Sequence, residues 1–337
     1  MTRITRFEKV DKKETQYINE MDTLLKKQIA KYPVGHTLRD AHPKHLGLLQ
    51  GQFTIREDLP PELQVGIFQP GQTYPVWVRI SNASGRVQTD DKKDIRGFAI
   101  KLMGIDGEKY QSDESTTQDF VLLSTPTIPF GTVKLFRDAI YYTLKYSPLL
   151  FLLRMIFQGN LTKVQELNHA RQNHSSPFDI RFWSTTPYLF GRDQVVKYSL
   201  RPTSSYQSQL PDTLTKTYLR ENMERHLSKT DARFDFMIQF SNDPQTMPVE
   251  DAAIHWCEES SPFIKVATLT IPQQSFRTTE RDNLAEEFSF SPGHALIEHQ
   301  PIGGLNRART EIYQRISRFR HERDQRDQTE PTPQDFF

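Results

Sequence analysis

Residues 78–82 read Val-Arg-Ile-Ser-Asn, and residues 94–101 read Asp-Ile-Arg-Gly-Phe-Ala-Ile-Lys. They fall in two short strand-like runs, Thr73–Ser81 and Gly97–Met103, set off by Asn82 and Asp94. Such punctuation is the mark of antiparallel sheet. The same reading extends outward to Gly51–Ile55 and Asp119–Leu123, and further on to Val195–Leu200, Phe234–Gln239 and Phe263–Ile271. Helical spacing of apolar residues predicts an amphipathic helix over 12–31, ending before Tyr32-Pro33 because the residue before proline is driven out of the α region. Further helices are predicted over 131–157 with a kink or break at Pro148, and over 161–172, 212–228 and 307–323. Strands lie on both sides of the central helices, so one sheet or barrel with helical insertions fits better than two domains. The class is α+β with a β core. The predicted division is an amphipathic helix over 1–32, a barrel domain over 33–323, and a polar, loose tail over 324–337.

Composition narrows the function classes. With 43 basic and 42 acidic side chains in 337 residues the net charge is +1, which argues against binding nucleic acid by phosphate neutralisation. Twenty-two Phe and twelve Tyr exclude a chain that is disordered as a whole. Cys257 is the single cysteine, so no internal disulfide forms and no Cys-based zinc or iron–sulfur site can be assembled. A reducing, cytoplasmic setting is the expectation, as Met1–Val10 carries charges rather than the apolar core of a signal peptide. P-loop, dinucleotide-fold glycine, zincin and serine-hydrolase elbow motifs are absent from the sequence.

Three segments, in order, carry the chemistry. The first is Arg39-Asp40-Ala41-His42-Pro43, leading into a strand. The second is the pair quoted above. The third is Phe288-Ser289-Phe290-Ser291-Pro292, followed by Arg309-x-x-x-Tyr313 and then Arg320. Together they resemble the haem catalase superfamily, whose members carry R-x-x-H, an R-[FI]-S strand, an R-G-F-A-x-K strand, an F-x-P segment, and R-x-x-x-Y with an arginine seven residues beyond the tyrosine. The resemblance runs from about residue 33 to residue 322. It implies an antiparallel β-barrel of catalase type with flanking helices, and a ferric haem b buried between barrel and helices.

Residue by residue, the resemblance makes His42 the distal general acid–base and Ser81 the hydroxyl that orients its ring. Tyr313 becomes the proximal iron ligand, bound as phenolate. Arg309, one helical turn before Tyr313, holds that phenolate ionised, while Arg39, Arg79 and Arg320 clamp the haem propionates. Ser124 falls where catalases have their distal asparagine. Arg96 is read as structural.

The resemblance implies an oxidoreductase that cleaves hydrogen peroxide or an organic hydroperoxide, with a reductant still to be identified. A fatty-acid hydroperoxide isomerase or lyase of allene oxide synthase type and a non-enzymatic haem-binding protein are the alternatives. Only 24 residues follow Tyr313, which points to a minimal, catalase-related branch. No nucleic-acid partner is expected, and the oligomeric state stays open, a dimer among the alternatives. The apolar stretch within 134–157 reads either as a core helix or as an interfacial helix touching membrane.

Overall fold

The computed structural model describes residues 4–336; Met1–Arg3 of the predicted N-terminal segment and Phe337 of the tail lie outside them. Alternating side chains separated by turns form β1 (His45–Ile55), β2 (Thr73–Asn82), β3 (Arg96–Met103), β4 (Thr117–Leu123), β5 (Phe182–Trp183), β6 (Tyr188–Phe190), β7 (Gln194–Pro202), β8 (Ala232–Phe240) and β9 (Ile264–Ile271). All nine pair antiparallel, in the order β5-β4-β3-β2-β1-β9-β8-β7-β6. Trp183 in β5 pairs with Leu123 on one side and Ser199 on the other, which closes eight strands into a barrel; β6 hangs from β7. The expected antiparallel barrel with flanking helices is thus the architecture of the chain.

The abundant phenylalanine fills the barrel. Phe53, Phe120 and Phe236 stack with ring centroids 4.7–6.2 Å apart, and Phe98 sits 5.0–5.3 Å from Phe182 and Phe234. Burial of such side chains is the main stabilising force here, each contributing about 1.5–3 kcal/mol. At Gly51 a Cβ would lie 2.9 Å from the Thr270 carbonyl, so β1 and β9 approach closely only because that side chain is missing.

Strand alternation then decides what faces outward. Val76, Val78 and Ile80 of β2, Phe98, Ile100 and Leu102 of β3, and Phe120 and Leu122 of β4 point into the barrel. Their neighbours Arg79 and Ser81, Gly97, Ala99 and Lys101, and Asp119 and Val121 therefore share the outer face, in register as Arg79↔Ala99↔Val121, Ser81↔Gly97 and Lys101↔Asp119.

Helices flank the barrel: α1 (Glu14–Ile29), α2 (Val133–Lys145), α3 (Pro148–Phe157), α4 (Leu161–Ala170), α5 (Tyr218–Leu227), α6 (Thr279–Glu287) and α7 (Gly304–Asp324). One stripe of α7, made of Ala308, Ile312 and Ile316, packs on Tyr17, Met21 and Leu25 of α1 and Val133 of α2. Arg307 locks the same junction by donating to Glu8, Glu14 and Glu250.

Several predicted boundaries shift for physical reasons. Pro148 does not kink one helix but starts a second, with Ser147 accepting the Leu150 N–H as its cap. α3 buries only Phe151 and Met155, so it is not a core helix. The predicted helix over 212–228 begins at Tyr218, after Thr217 donates to Glu221. The tail, expected to be loose, docks: Glu330 accepts from the backbone N–H groups of Ser115 and Thr116, and Phe336 lies edge-on to Trp77 at 6.0 Å. Two short strands, β5 and β6, and the polar helix α6 lacked a readable apolar period.

Candidate active site

A cavity lies between the outer face of β2–β4 and the inner stripe of α7. Into it come His42, Ser81, Arg39, Arg79, Arg320 and Tyr313, six of the eight residues singled out from sequence.

His42 is delivered by the loop before β1. Its backbone sits in the left-handed region (φ 57°), strained for a residue with a side chain, and Arg79 Nη2 holds it by donating to its carbonyl at 3.0 Å. The imidazole Nδ1 is 2.9 Å from Ser81 Oγ. A Cβ at Gly97 would fall 2.6 Å from the same ring, so the glycine of the R-G-F-A-x-K motif is the seat of the histidine. Burial, reinforced by Arg79, Arg309 and Arg39, pushes the His42 pKa down to about 3, so the ring is neutral at physiological pH. Among the described residues Nε2 meets no protein hydrogen-bond partner, which leaves it free toward the cavity.

Tyr313 enters from the opposite wall. Helical spacing puts Arg309 one turn before it, with the guanidinium 5.6 Å from the ring centroid. Arg309 does not line the cavity; it stands behind the tyrosine, donating to Thr186 Oγ1 (3.0 Å) and Asn306 Oδ1 (3.2 Å). Burial opposes its charge, but the phenol oxygens of Tyr313 and Tyr188 beside it outweigh that and hold the guanidinium charged.

Arg39, Arg79 and Arg320 converge on one carboxylate. Glu286, at the end of α6, receives Arg39 at 2.9 Å, Arg320 at 3.2 Å and Arg79 at 3.4 Å. Burial disfavours its charge, yet the three arginines win and keep it ionised. The crowding acts on the arginines in turn: burial and the neighbouring Arg39 bring Arg79 down to about 9 and Arg320 to about 10. Asp40 is close by, but burial raises its pKa, so it answers less of the positive charge.

Ser124 is placed elsewhere. It lies one residue past β4, out of phase with Asp119 and Val121, and is not on the cavity wall. Its Oγ accepts the Arg96 backbone N–H at 2.9 Å, and its N–H donates to the Arg96 carbonyl. Ser124 thus stands apart from the cavity that holds His42 and Ser81, and Val121 and Ala99 are the residues of β4 and β3 that line it there. Arg96 is fully buried and bound to Asn82, in keeping with its structural reading.

Sequence reasoning missed Glu286 and a buried charge network at the cavity's edge. Lys101 donates to Glu114 and Asp119; His294 Nδ1 is 2.9 Å from Asp119 and its Nε2 3.2 Å from Asp113. Glu114, Asp119 and His294 offer atoms within 4.8 Å of one another, but the Lys101 ammonium already sits among them, so the network is complete as a salt-bridged group. The register pair Lys101↔Asp119 was the available signal, visible only once β3 and β4 were aligned.

No family model matches the sequence. Among solved structures, a fungal catalase superposes with TM-score 0.68 at 16% identity, over 87% of this chain and 61% of the catalase. A bacterial catalase gives 0.66 at 17% identity over 91% and 62%, and catalase A from Saccharomyces cerevisiae 0.65 at 13% identity over 87% and 63%. The chain has the catalase fold. It spans a little over three-fifths of the length of those catalases. In this catalase fold the cavity between barrel and α7 is where the residues picked out from sequence meet.

The buried histidines make stability pH-dependent. Burial is the first cause in each case: His42 and His299 are lowered to about 3, and His45 and His174 to about 4. Below the ordinary value of 6.5 the unfolded chain takes up protons that the native state refuses, so stability falls as pH drops from 6.5 toward 4. His294 has the opposite sign. Burial and Lys101 oppose its charge, but Glu114, Asp119 and Asp113 overcome them and raise it to about 9; its contribution is full below 6.5 and lost through pH 9. Urea unfolding at pH 7 and pH 5 should differ by on the order of 5 kcal/mol, the acid side being weaker. Equal stabilities would mean the histidines are solvated.

Proposed function

We propose that this chain is a haem-dependent enzyme that cleaves the O–O bond of a peroxide in the cavity between barrel and α7. The observation that carries the reading is the meeting, around one cavity, of a neutral, serine-oriented His42 with a Tyr313 backed by a charged arginine.

The residues present fit haem b. Three guanidinium groups face one ionised carboxylate, which leaves an excess of two positive charges for a dianionic ligand such as a pair of propionates. Gly97 keeps clear the space that a Cβ would take from His42. Tyr313 is an oxygen donor with the Arg309 guanidinium 5.6 Å from its ring centroid. When bound, ferric haem supplies a Lewis-acidic iron and the electrons that O–O cleavage demands. Tyr313 would hold it, with Arg39, Arg79 and Arg320 at its acidic edge. His42, neutral, accepts the proton of the peroxide's inner oxygen at one ring nitrogen and returns it to the departing oxygen. Ser81 fixes the ring plane in which that transfer runs.

A second reading concerns the substrate. Val121 and Ala99 stand in the wall, Ser124 is not part of it, and the apolar part of the lining includes Phe290 and Ile316. That lining favours an organic hydroperoxide, reduced by a small electron donor or rearranged without one, over dismutation of hydrogen peroxide. Haem-loaded protein should consume a fatty-acid hydroperoxide with kcat/KM at least about tenfold above that for hydrogen peroxide, as expected when apolar substrate surface is buried in the transition state. Dependence on an electron donor separates reduction from rearrangement. Rapid oxygen release from hydrogen peroxide would overturn the substrate preference, and turnover of neither would leave a haem-binding protein.

A further inference from the structure

We infer that the tip formed by the end of α2, α3 and the start of α4 is a docking surface for an anionic lipid bilayer. The inference is independent of the haem reading, since none of these residues lines the cavity.

The tip breaks the ordinary rule for burial. Tyr146 is 59% exposed, Leu149 65%, Leu153 42%, Ile156 43% and Phe157 88%. Tyr146 ends α2, and the other four recur at helical spacing on α3, opposite Phe151 and Met155, which are the residues that anchor the helix to the protein. Scattered exposed leucines are unremarkable, but a contiguous apolar helix face ending in a free phenylalanine marks a contact surface.

Charge says what covers it. Between Asp138 and Glu166 the chain carries Lys145, Arg154 and Lys163 and no acidic side chain, in a protein with 42 acidic residues. Lys145 rests on Tyr141 at 4.8 Å and Arg154 on Tyr142 at 5.2 Å; among the described residues none of the three cations pairs with a carboxylate. Apolar residues on one face, flanking cations and a girdle of tyrosines form the pattern of an interfacial helix. Two-fold self-association would instead bring like cations together with nothing to neutralise them. No helix among the described residues is long and apolar enough to cross a membrane. Ten residues span about 15 Å, half the hydrocarbon core, so α3 would lie in the interface plane.

The test uses the full chain and sedimentation with vesicles of pure phosphatidylcholine or of phosphatidylcholine containing 30 mol% phosphatidylglycerol, a probe composition of about one anionic lipid in three. Binding to the anionic vesicles, weakened by salt, is expected. Arg154→Gln should weaken it about fivefold, the effect of one cation near such a surface. The double change Leu153→Glu, Phe157→Glu should weaken it by at least about a hundredfold. Phe157→Trp provides a readout that does not depend on a disruptive variant, its emission shifting to the blue on vesicle addition. Absence of binding, or tryptophan emission unchanged by anionic vesicles, overturns the inference. So does concentration-dependent dimerisation that is lost in the double variant while vesicles stay unbound, because the face would then be a self-contact.

Discussion

Tyr313→Phe is expected to remove stoichiometric haem binding while leaving the barrel folded. Tyr313 lies on α7, but the helix is held by Ala308 and Ile312 against α1 and α2 and by the Arg307 cluster at its start, so loss of one cavity-facing hydroxyl costs little stability. Iron, by contrast, would lose its anionic donor, and Arg309 loses one of the two phenol oxygens beside it. Loss of a supporting residue already weakens a metal site by 10–100-fold, so loss of the ligand itself should exceed about a hundredfold. Titration with ferric haem, followed by Soret absorbance, measures this directly. Equal affinity and an unchanged spectrum in the variant would remove Tyr313 from the iron.

His42→Ala separates chemistry from binding. The ring touches Ser81 and Gly97 rather than the arginine cluster, so haem affinity should hold while peroxide cleavage slows by about two to four orders of magnitude. Single-turnover mixing of haem-loaded protein with a hydroperoxide reports the step. Ser124→Ala belongs in the same series: its oxygen serves the Arg96 backbone, so the rate should be unaltered. A fast His42→Ala enzyme, or a slow Ser124→Ala enzyme, would reassign the distal proton carrier.

The residues at issue in these variants were legible to different degrees. Tyr313 and Arg309 came from the family resemblance, and their i, i+4 spacing means the same thing on any helix: α7 places them one turn apart. Gly97, within a strand motif, could be read as significant from sequence, but its purpose appeared only when Ser81↔Gly97 pairing set it under the His42 ring. Ser124, taken from a motif match, lies off the cavity wall. A one-residue displacement along a strand reverses the face, and no linear match of motifs resolves a shift that small. Glu286 was invisible because α6 has only Leu284 and Ala285 as apolar residues and gives no period, although Glu286 stands in its last turn at the point where three distant arginines arrive. Antiparallel sheet was readable from strand punctuation and a barrel was implied by the resemblance, whereas its closure rests on the two-residue strand Phe182–Trp183, too short for any periodicity. The apolar run over 134–157 was equally consistent with a core and an interface, and only three-dimensional burial separated Phe151 and Met155 from their exposed neighbours.

The most direct test is the optical spectrum of the purified protein titrated with ferric haem b. Saturation at one haem per chain, with a high-spin ferric spectrum and the charge-transfer features of a phenolate ligand, is the expected result. Failure to bind haem stoichiometrically, or a spectrum lacking phenolate ligation, would contradict the assignment of the cavity, and with it the roles given to Tyr313, His42 and the three arginines.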